Sequence, residues 1–438
     1  MKSSVWHPNT QMREWSSFDT ISKGKGIWLI DAKGNKIIDA VGSMWCNVWG
    51  HSNPQLVKAI TKQSKQIQHS SLFNLTNEPV ERLAKNLIKI SPGMNKVFYS
   101  DNGSSAMEIA IKMALQYWKN IGDTKKTQIA TIENGYHGDT FGAMSVGYVP
   151  EFFGKFKKQL FSTIQFPVPN EYRLPKGFTL SDYQNHCLEK IEKRFSKNND
   201  IAAFIMESGA QMAGGVIIYP KGFQKKISEL CKKYNILFVL DEIATGFGRL
   251  GSMVQYQDQK SIPDIVAYGK MLTGGYLTMA ATLANKKIYD SFSGEFNDWK
   301  HLFHGHTYTG NPIAAAVANE NLQMYEKHNL IKKVQKTSKI FEKYSQEILG
   351  IDIVGDVRHK GMLMGIELVS NKKRKTPIRT KKSINKVFFE EGKKQGIYLR
   401  TLGNIVMLVP PLSIQENELE LLIKKTIKTI QVAKSKTF

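Results

Sequence analysis

Short apolar runs separated by helical stretches dominate the middle of the chain. The runs are rich in β-branched and aromatic residues and end at polar or glycine-rich turns. They are KVFYS (96–100), IATI (129–132), AAFIME (202–207), ILFVLDE (236–242) and DIVAYGK (264–270). Helical patterns such as Ala106–Lys119 and Gly222–Tyr234 lie between them. This alternation predicts an α/β fold with a mainly parallel sheet covered by helices on both faces.

The two ends of the chain have a different pattern of apolar and polar residues from the middle. Near the start, IWLID (27–31) and NKIIDA (35–40) flank Lys33-Gly34-Asn35, which predicts a β-hairpin. Beyond residue 325, amphipathic helical patterns mix with apolar strands. The helices are Leu330–Leu349, Ser383–Gln395 and Glu416–Ala433, and the strands are GMLMGIEL (361–368) and IVMLVPP (405–411). We therefore expect a small-domain segment at 1–55, a large domain at 56–325 and a C-terminal α+β domain at 326–438.

Length and composition narrow the class of protein. The chain has 438 residues, 41% of them hydrophobic, enough for two or three domains with a large core. No apolar run approaches the roughly 20 residues that cross a bilayer, and residues 1–10 lack the apolar stretch of a signal peptide. Cys46, Cys187 and Cys231 are far apart, which favours a reducing, cytoplasmic compartment without disulfides or a zinc site.

The formal net charge of +23 raises the alternative of a basic nucleic-acid-binding protein. Most of the excess is lysine, whereas arginine is favoured for bidentate recognition of phosphates and bases. The lysines are scattered along polar helix positions, and the densest run, at 372–375, is typical of an exposed loop. We therefore expect a solvated basic surface and no nucleic-acid or membrane partner.

Two charged residues stand where predicted strands end, the edge at which ligands bind in open α/β sheets. Asp241 follows the apolar ILFVL, and Lys270 ends DIVAYGK. A buried lysine loses part of its preference for the charged form, so its neutral amine becomes available to attack a carbonyl group. Taken singly, Asp241 also fits a helix cap or an internal ion pair, and Lys270 also fits a surface position.

Three polar segments add to this pair. Gly103 and Ser104 open a periodic helix, and free N–H groups at such a start bind anions. Tyr136 lies in a glycine-rich loop, and a second such loop carries His304 and His306 without an acidic or cysteine partner nearby, so no metal is expected. Pyridoxal 5'-phosphate requires a lysine to hold its aldehyde, an acid beside its pyridine nitrogen, an anion-binding turn for its phosphate and an aromatic ring against its own ring. The segments described above contain one candidate for each.

The motifs resemble those of class III aminotransferases, which have the fold type I of pyridoxal-phosphate enzymes. The resemblance runs from about residue 6 to 412 and rests on WHPNTQM (6–12), SMWCNVWGH (43–51), SDNGSSA (100–106), YHGDT (136–140), DEIATGFGR (241–249), GKMLTGG (269–275) and HGHTYTGNP (304–312). It implies a large α/β/α domain and a smaller α+β domain built from the N- and C-terminal segments. Within the family, the motif sequences are most similar to those of members that convert 8-amino-7-oxononanoate to 7,8-diaminononanoate in biotin synthesis, with adenosylmethionine or lysine as amino donor.

The resemblance also implies residue roles. The cofactor phosphate would lie at Gly103 and Ser104, its ring against Tyr136 and Asp241, and its aldehyde on Lys270. His306 and Thr307 of a neighbouring subunit would complete the phosphate site of a homodimer. The substrate would contact Tyr136, Lys270 and the residues Trp45, Gly305 and Arg400, the last gripping a carboxylate. Lys270, Asp241 and Tyr136 would be the catalytic residues.

Three positions depart from the family pattern. Cys46 replaces a second tryptophan and Asn9 an aromatic residue, and both bear on the amino donor. Glu207-Ser208 stands where Glu-Pro is usual. Another ω-aminotransferase, acting on ornithine, 4-aminobutyrate or a similar terminal amine, is therefore an alternative. A racemase or decarboxylase on the same scaffold is a second one, because a fold does not fix a reaction.

Overall fold

A computed structural model describes residues 3–378, 380 and 383–437, so the outer limits of the expected domains, at 1 and 438, lie outside it. Within these ranges, no helix is both long and apolar enough to cross a membrane. The strands are β1 (Ile21–Lys25), β2 (Trp28–Asp31), β3 (Lys36–Asp39), β4 (Lys96–Ser100), β5 (Gln128–Ile132), β6 (Ile164–Phe166), β7 (Ile201–Glu207), β8 (Ala210–Gln211), β9 (Ile217–Ile218), β10 (Leu237–Asp241), β11 (Ile265–Tyr268), β12 (Ala280–Ala284), β13 (Val354–Lys360), β14 (Leu363–Asn371), β15 (Thr376–Pro377), β16 (Ile397–Tyr398), β17 (Arg400–Leu402) and β18 (Ile405–Leu408).

Helices occupy most of the remaining chain. They are α1 (Gly42–Trp45), α2 (Pro54–Ser64), α3 (Glu78–Ile90), α4 (Gly103–Asn120), α5 (Phe141–Val146), α6 (Pro150–Phe153), α7 (Leu180–Lys197), α8 (Phe223–Lys233), α9 (Gln255–Asp258), α10 (Lys286–Ser291), α11 (Pro312–Lys327), α12 (Leu330–Thr337), α13 (Lys339–Leu349), α14 (Ile384–Lys394) and α15 (Glu416–Thr437). The helix expected at Leu330–Leu349 is divided into α12 and α13, where Phe341 N–H bonds the Ser338 carbonyl in a tighter turn.

The chain forms two compact units. The larger comprises Pro54–Lys336 and Lys360–Met362, and the smaller comprises the described residues of Met1–Asn53, Thr337–His359 and Leu363–Phe438. The central sheet of the larger unit has the strand order β4-β12-β11-β10-β7-β5-β6. Its pairs are parallel except those that β12 makes with β11 and β4. This confirms the predicted mainly parallel α/β sheet.

The sheet is covered on both faces. Every residue of β7 and β10 is buried, so side chains that point to either face are out of water. On one face, α4 packs Ala106, Ile109 and Ala110 into a core with strand residues such as Ile205 and Val239. The helix α4 begins where Asn102 accepts a hydrogen bond from Ser105 N–H at 3.0 Å, a usual N-cap.

The smaller unit contains two antiparallel-rich sheets, in the orders β1-β2-β3-β16 and β13-β14-β18-β17. The predicted hairpin is confirmed, since β2 and β3 pair antiparallel across Gly34, which has φ +87°. Strand β16 pairs in parallel with β3, placing Tyr398 opposite Asp39. The N-terminal and C-terminal segments therefore share a sheet, as expected for the small α+β domain of this fold.

Candidate active site

The carboxyl ends of the parallel strands bring the candidate residues of the larger unit to one edge of the sheet. Asp241 ends β10 and pairs in register with Glu207, the last residue of β7. On its other side, Asp241 is paired with Ala267 of β11. Side chains at such adjacent strand ends meet in the crevice outside the sheet, where ligands of α/β folds bind.

Asp241 is 4% exposed and held by two donors. Its Oδ2 atom lies 2.8 Å from His137 Nδ1, and its Oδ1 atom accepts a hydrogen bond from Ile243 N–H at 2.9 Å. A carboxylate has about four lone-pair positions, so acceptor capacity remains for a further N–H donor. The Nε2 atom of His137 is buried and makes no hydrogen bond with the described residues.

Glu207 fixes the loop that carries Tyr136. Its two carboxylate oxygens accept hydrogen bonds from Tyr136 N–H at 3.2 Å and from Met212 N–H at 2.9 Å. Burial raises the pKa of Glu207 to about 7, opposed by the nearby His137 and favoured by the charge of Asp241. A single buried acid therefore joins two loops beside Asp241.

The ring of Tyr136 is half-buried and packs against aromatic neighbours. It stacks on Phe153 with ring centroids 6.1 Å apart and meets Phe152 edge-on at 6.4 Å. Its hydroxyl donates to Asp139 Oδ1 at 3.0 Å. Burial raises the pKa of the Tyr136 phenol, and the charges of Asp139 and Asp241 raise it further. The ring is thus a neutral platform in a defined orientation.

The start of α4, where the sequence predicts an anion site, is fixed by contacts with two other segments. Ser104 Oγ accepts a hydrogen bond from Thr140 N–H at 3.0 Å and lies 2.7 Å from the Thr140 hydroxyl. A Cβ added at Gly103 would lie 2.8 Å from the Ile243 side chain, and one at Gly269 would lie 3.2 Å from it. Ile243 therefore links the helix start, the Asp241 segment and the residue before Lys270.

Lys270 follows β11 rather than ending it. The strand stops at Tyr268, and Lys270 opens a 3-10 turn (Lys270–Thr273) with φ +43°, a left-handed value uncommon for lysine. The side chain is partly exposed, not enclosed as the strand-end prediction implied. Asn321 holds the turn by donating hydrogen bonds to the carbonyls of Met271 and Leu272. The strand thus ends two residues before Lys270, and the extended Gly269 joins it to the turn.

The loop with Gly305, His306 and Thr307 is largely exposed. His306 Nδ1 lies 3.2 Å from Asp101 Oδ2, and His306 N–H donates to Thr309 Oγ1 at 3.2 Å. Gly305 and Thr307 are exposed. Among the described residues, no three or more histidine, cysteine or acidic side chains form a group that could bind a metal ion.

Trp45 and Arg400 both belong to the smaller unit. Trp45 is 6% exposed and ends the turn α1. Arg400 opens β17 and is half-buried, and its Nε atom is buried without a hydrogen-bond partner in the described chain. An unsatisfied buried guanidinium donor suits an anion that arrives from outside.

Sequence reasoning missed three contributors to this edge. His137 and Glu207 were visible as a loop residue and a strand end, but their contacts with Asp241 and Tyr136 span 104 and 71 residues. Ser208, which had no interpretation, donates its N–H to the Asp241 carbonyl at 2.9 Å. A proline there would lack that donor, so serine ties β7 to β10 at the site.

Comparisons with known proteins show which proteins the whole chain resembles. The family model described as aminotransferase class-III matches residues 11–430. An adenosylmethionine-8-amino-7-oxononanoate aminotransferase of Staphylococcus aureus is 44% identical over 427 residues, which cover 96% of this chain and 94% of that protein. The crystal structure of the protein of the same name from Methanocaldococcus jannaschii matches with TM-score 0.92 and 41% identity, covering 98% and 97% of the two chains. An ω-transaminase of Pseudomonas jessenii in complex with PMP matches with TM-score 0.94 and 29% identity, covering 99% and 97%.

Proposed function

The chain belongs to the class III aminotransferase family, and from this we propose that it converts 8-amino-7-oxononanoate to 7,8-diaminononanoate in biotin synthesis. The observation that carries the substrate is the match, over nearly the whole of both chains, to relatives named for that acceptor at 40–44% identity. The partners of the reaction are small molecules. Membership of this family is consistent with the roles predicted for Asp241 and Lys270 at the strand ends. It also argues against the alternative of a basic nucleic-acid-binding protein.

Pyridoxal 5'-phosphate is the cofactor of this family, and when bound it supplies a reactive aldehyde and an electron-withdrawing pyridine ring. The described residues fit it. Gly103 and Ser104 open α4, and the first N–H groups of a helix have no partner within the helix and can donate to a phosphate. Asp241 retains acceptor capacity for a pyridine N–H, and the Tyr136 ring offers a flat face.

Each catalytic residue has a separate task. Asp241, kept in place by His137 and Ile243 N–H, holds a proton on the pyridine nitrogen as its counter-charge. With the cofactor bound, Lys270 Nζ would hold its aldehyde carbon. As a free amine, the same atom would act as the general base towards the amine-bearing carbon of the donor and as the general acid that gives this proton to the cofactor carbon. Tyr136 orients the reacting groups from one side.

Acceptor recognition is assigned to Arg400, Trp45 and Gly305. The acceptor has a carboxylate at the end of a long alkyl chain, and Arg400 offers a planar fork with an unpartnered buried Nε for it. Trp45 gives an apolar surface for the alkyl chain, and Gly305 contacts the substrate without a side chain. The amino donor is adenosylmethionine, with lysine as the alternative because Cys46 and Asn9 stand where relatives have aromatic residues.

A homodimer completes the site in this proposal. His306 and Thr307 of one subunit would reach the phosphate site of the other. The exposed apolar side chains near this loop support the idea, since Phe73, Phe303 and Tyr308 are 63%, 59% and 59% exposed. The cytoplasmic location expected from the cysteines stays a prediction.

A half-reaction screen tests the substrate assignment. The cofactor-loaded enzyme is mixed with adenosylmethionine, lysine, ornithine or glutamate, and loss of its visible absorbance band reports amino transfer to the cofactor. We expect adenosylmethionine or lysine to remove the band and 8-amino-7-oxononanoate to restore it. Lys270→Ala is the matched control, because it retains the fold without the reactive amine. If the enzyme ignores 8-amino-7-oxononanoate but reacts with ornithine or 4-aminobutyrate, the alternative ω-aminotransferase replaces this proposal.

A further inference from the structure

The turn after β3 has an unusual backbone. Gly42, Ser43, Met44 and Trp45 have φ values of 52°, 47°, 68° and 74°, so four consecutive residues are left-handed. Glycine adopts this conformation freely, but the other three have a Cβ that crowds the following carbonyl group. Three consecutive strained residues persist only where their surroundings hold them, and such strain is concentrated at ligand sites.

Asp39 holds this turn from the end of β3. The residue is fully buried, and its Oδ2 atom accepts a hydrogen bond from Ser43 Oγ at 2.8 Å and lies 3.1 Å from His51 Nε2. Asn47 completes the group, because its side chain accepts from Gly50 N–H at 2.8 Å and lies 3.3 Å from the same His51 atom. Both ends of the loop are thus tied to one buried carboxylate.

The backbone of the turn is closed on itself. Trp45 N–H donates to the Val41 carbonyl at 2.9 Å, and Cys46 N–H donates to the Gly42 carbonyl at 3.1 Å. A Cβ on Gly42 would lie 2.7 Å from the Val409 carbonyl oxygen, so the turn packs directly on the chain that follows β18. These amide protons report whether the turn is formed.

Asp39 also lies beside the segment that carries Arg400. Strands β3 and β16 run parallel, with Asp39 opposite Tyr398. Trp45 follows the end of β3 by six residues, and Arg400 follows the end of β16 by two. Burial raises the pKa of the Tyr398 phenol, the charge of Arg400 opposes this shift, and the charge of Asp39 adds to it. Asp39 and Arg400 therefore shift the pKa of the same phenol in opposite directions. The Oδ1 atom of Asp39 is buried without a hydrogen-bond partner among the described residues.

We propose that Asp39 is a positioning residue for the amino acceptor: its carboxylate holds the left-handed Gly42–Trp45 turn and thereby orients Trp45 beside the segment of Arg400. The inference rests on the proposed roles of Trp45 and Arg400. Asp39 itself contacts neither substrate nor cofactor. This role explains why a fully buried acid lies at the end of β3. Burying a carboxylate there costs free energy that an apolar residue would not cost.

Two variants and a matched control test the proposal. Asp39→Ala removes the carboxylate, and Asp39→Asn restores an acceptor for Ser43 without the charge. Asp31→Asn is the control, because Asp31 is a buried acid at the end of β2 that accepts from the N–H groups of Lys33 and Asn35 in the same sheet. Hydrogen exchange of the Trp45 and Cys46 amides is measured on the protein without cofactor.

In Asp39→Ala we expect these two amides to exchange about tenfold faster or more, because a hydrogen bond to a charged group is lost. The KM for 8-amino-7-oxononanoate should rise about tenfold, and the donor half-reaction, on which Cys46 just beyond the turn bears, should lose clearly less. Asp39→Asn should recover part of both effects, and Asp31→Asn should show neither. A purely structural role would lower the donor and acceptor reactions together.

Unchanged exchange, or equal losses in the donor and acceptor half-reactions, would overturn the proposal. If Asp39→Ala does not fold, Ser43→Ala removes only the hydrogen bond to Asp39 and should increase the exchange of the same amides. If the wild type does not use 8-amino-7-oxononanoate, the proposed function fails on its own. The exchange measurement, and the KM for whichever acceptor is used, then decide separately whether Asp39 positions the turn.

Discussion

Replacing Asp241 by asparagine removes the negative charge from the end of β10 with almost no change in shape. Asparagine can still approach His137 and Ile243 N–H, which now hold the carboxylate at 2.8 and 2.9 Å. It cannot serve as counter-charge to a protonated pyridine nitrogen. The variant should therefore fold and bind the cofactor phosphate but lose the support for that proton.

The magnitude follows from one charge-assisted hydrogen bond. Such a bond contributes about 1.5–3 kcal/mol, so the Kd for pyridoxal 5'-phosphate should rise roughly 10- to 150-fold. The loss in kcat should be greater, at least about 100-fold, because charge develops in the ring during the reaction. Titration of the cofactor-free protein measures the first quantity, and steady-state transamination measures the second.

Asp264→Asn is the matched control. Asp264 is a half-buried acid just before β11 that accepts from Phe238 N–H at 2.9 Å and from the Asn285 side chain at 2.8 Å. It lies at the amino ends of the same strands, away from the proposed site, so its replacement should lower stability without changing cofactor affinity. Near-native turnover of Asp241→Asn, or equal effects of the two variants on the Kd, would refute the reasoning.

The remaining predictions concern Arg400, His137 and the buried carboxyl group of Glu207. Arg400→Ala should weaken acceptor binding by roughly 2–5 kcal/mol and leave the donor half-reaction nearly intact, with Arg400→Lys a partial rescue; equal losses in both half-reactions would contradict the anchor role. His137→Ala should weaken cofactor binding by about tenfold in direct titration, because Asp241 Oδ2 loses its 2.8 Å partner; an unchanged Kd would contradict it. Burial raises the pKa of Glu207 from 4.5 to about 7. The folded state then keeps a proton that the unfolded chain releases, so the free energy of unfolding should fall by roughly 3 kcal/mol as the pH rises from 4.5 to 7. Urea unfolding of the wild type and Glu207→Gln at both pH values measures this, and the same pH dependence in both proteins would exclude Glu207 as its source.

Strands buried on both faces were predictable because their apolar runs are continuous. Residues 96–100 form β4 as expected, and the other predicted central strands match within about two residues at each end, the usual uncertainty of a boundary. Strand β12 was missed, since AATLA (280–284) is alanine-rich and carries little β-preference of its own. It is a strand because β11 and β4 pair with it on both sides.

The sequence predicted the candidate residues of the site but not the hydrogen bonds between them. Strand ends pointed to Asp241 and the Lys270 region, because parallel strands deliver such residues to one edge. The hydrogen bond from His137 to Asp241 and the clamp of Glu207 on Tyr136 depend on how distant loops fold back, which no local pattern encodes. The left-handed turn before Cys46 was equally invisible, because its non-glycine residues disfavour the conformation they adopt.

The central claim is that Lys270 binds the cofactor aldehyde. Borohydride reduction of the cofactor-loaded enzyme, followed by proteolysis and mass spectrometry, fixes the cofactor to the lysine that holds it. We expect the phosphopyridoxyl group on Lys270, and its absence from the Lys270→Ala variant treated in the same way. A reduced linkage on another lysine, or one that persists in Lys270→Ala, would contradict the account.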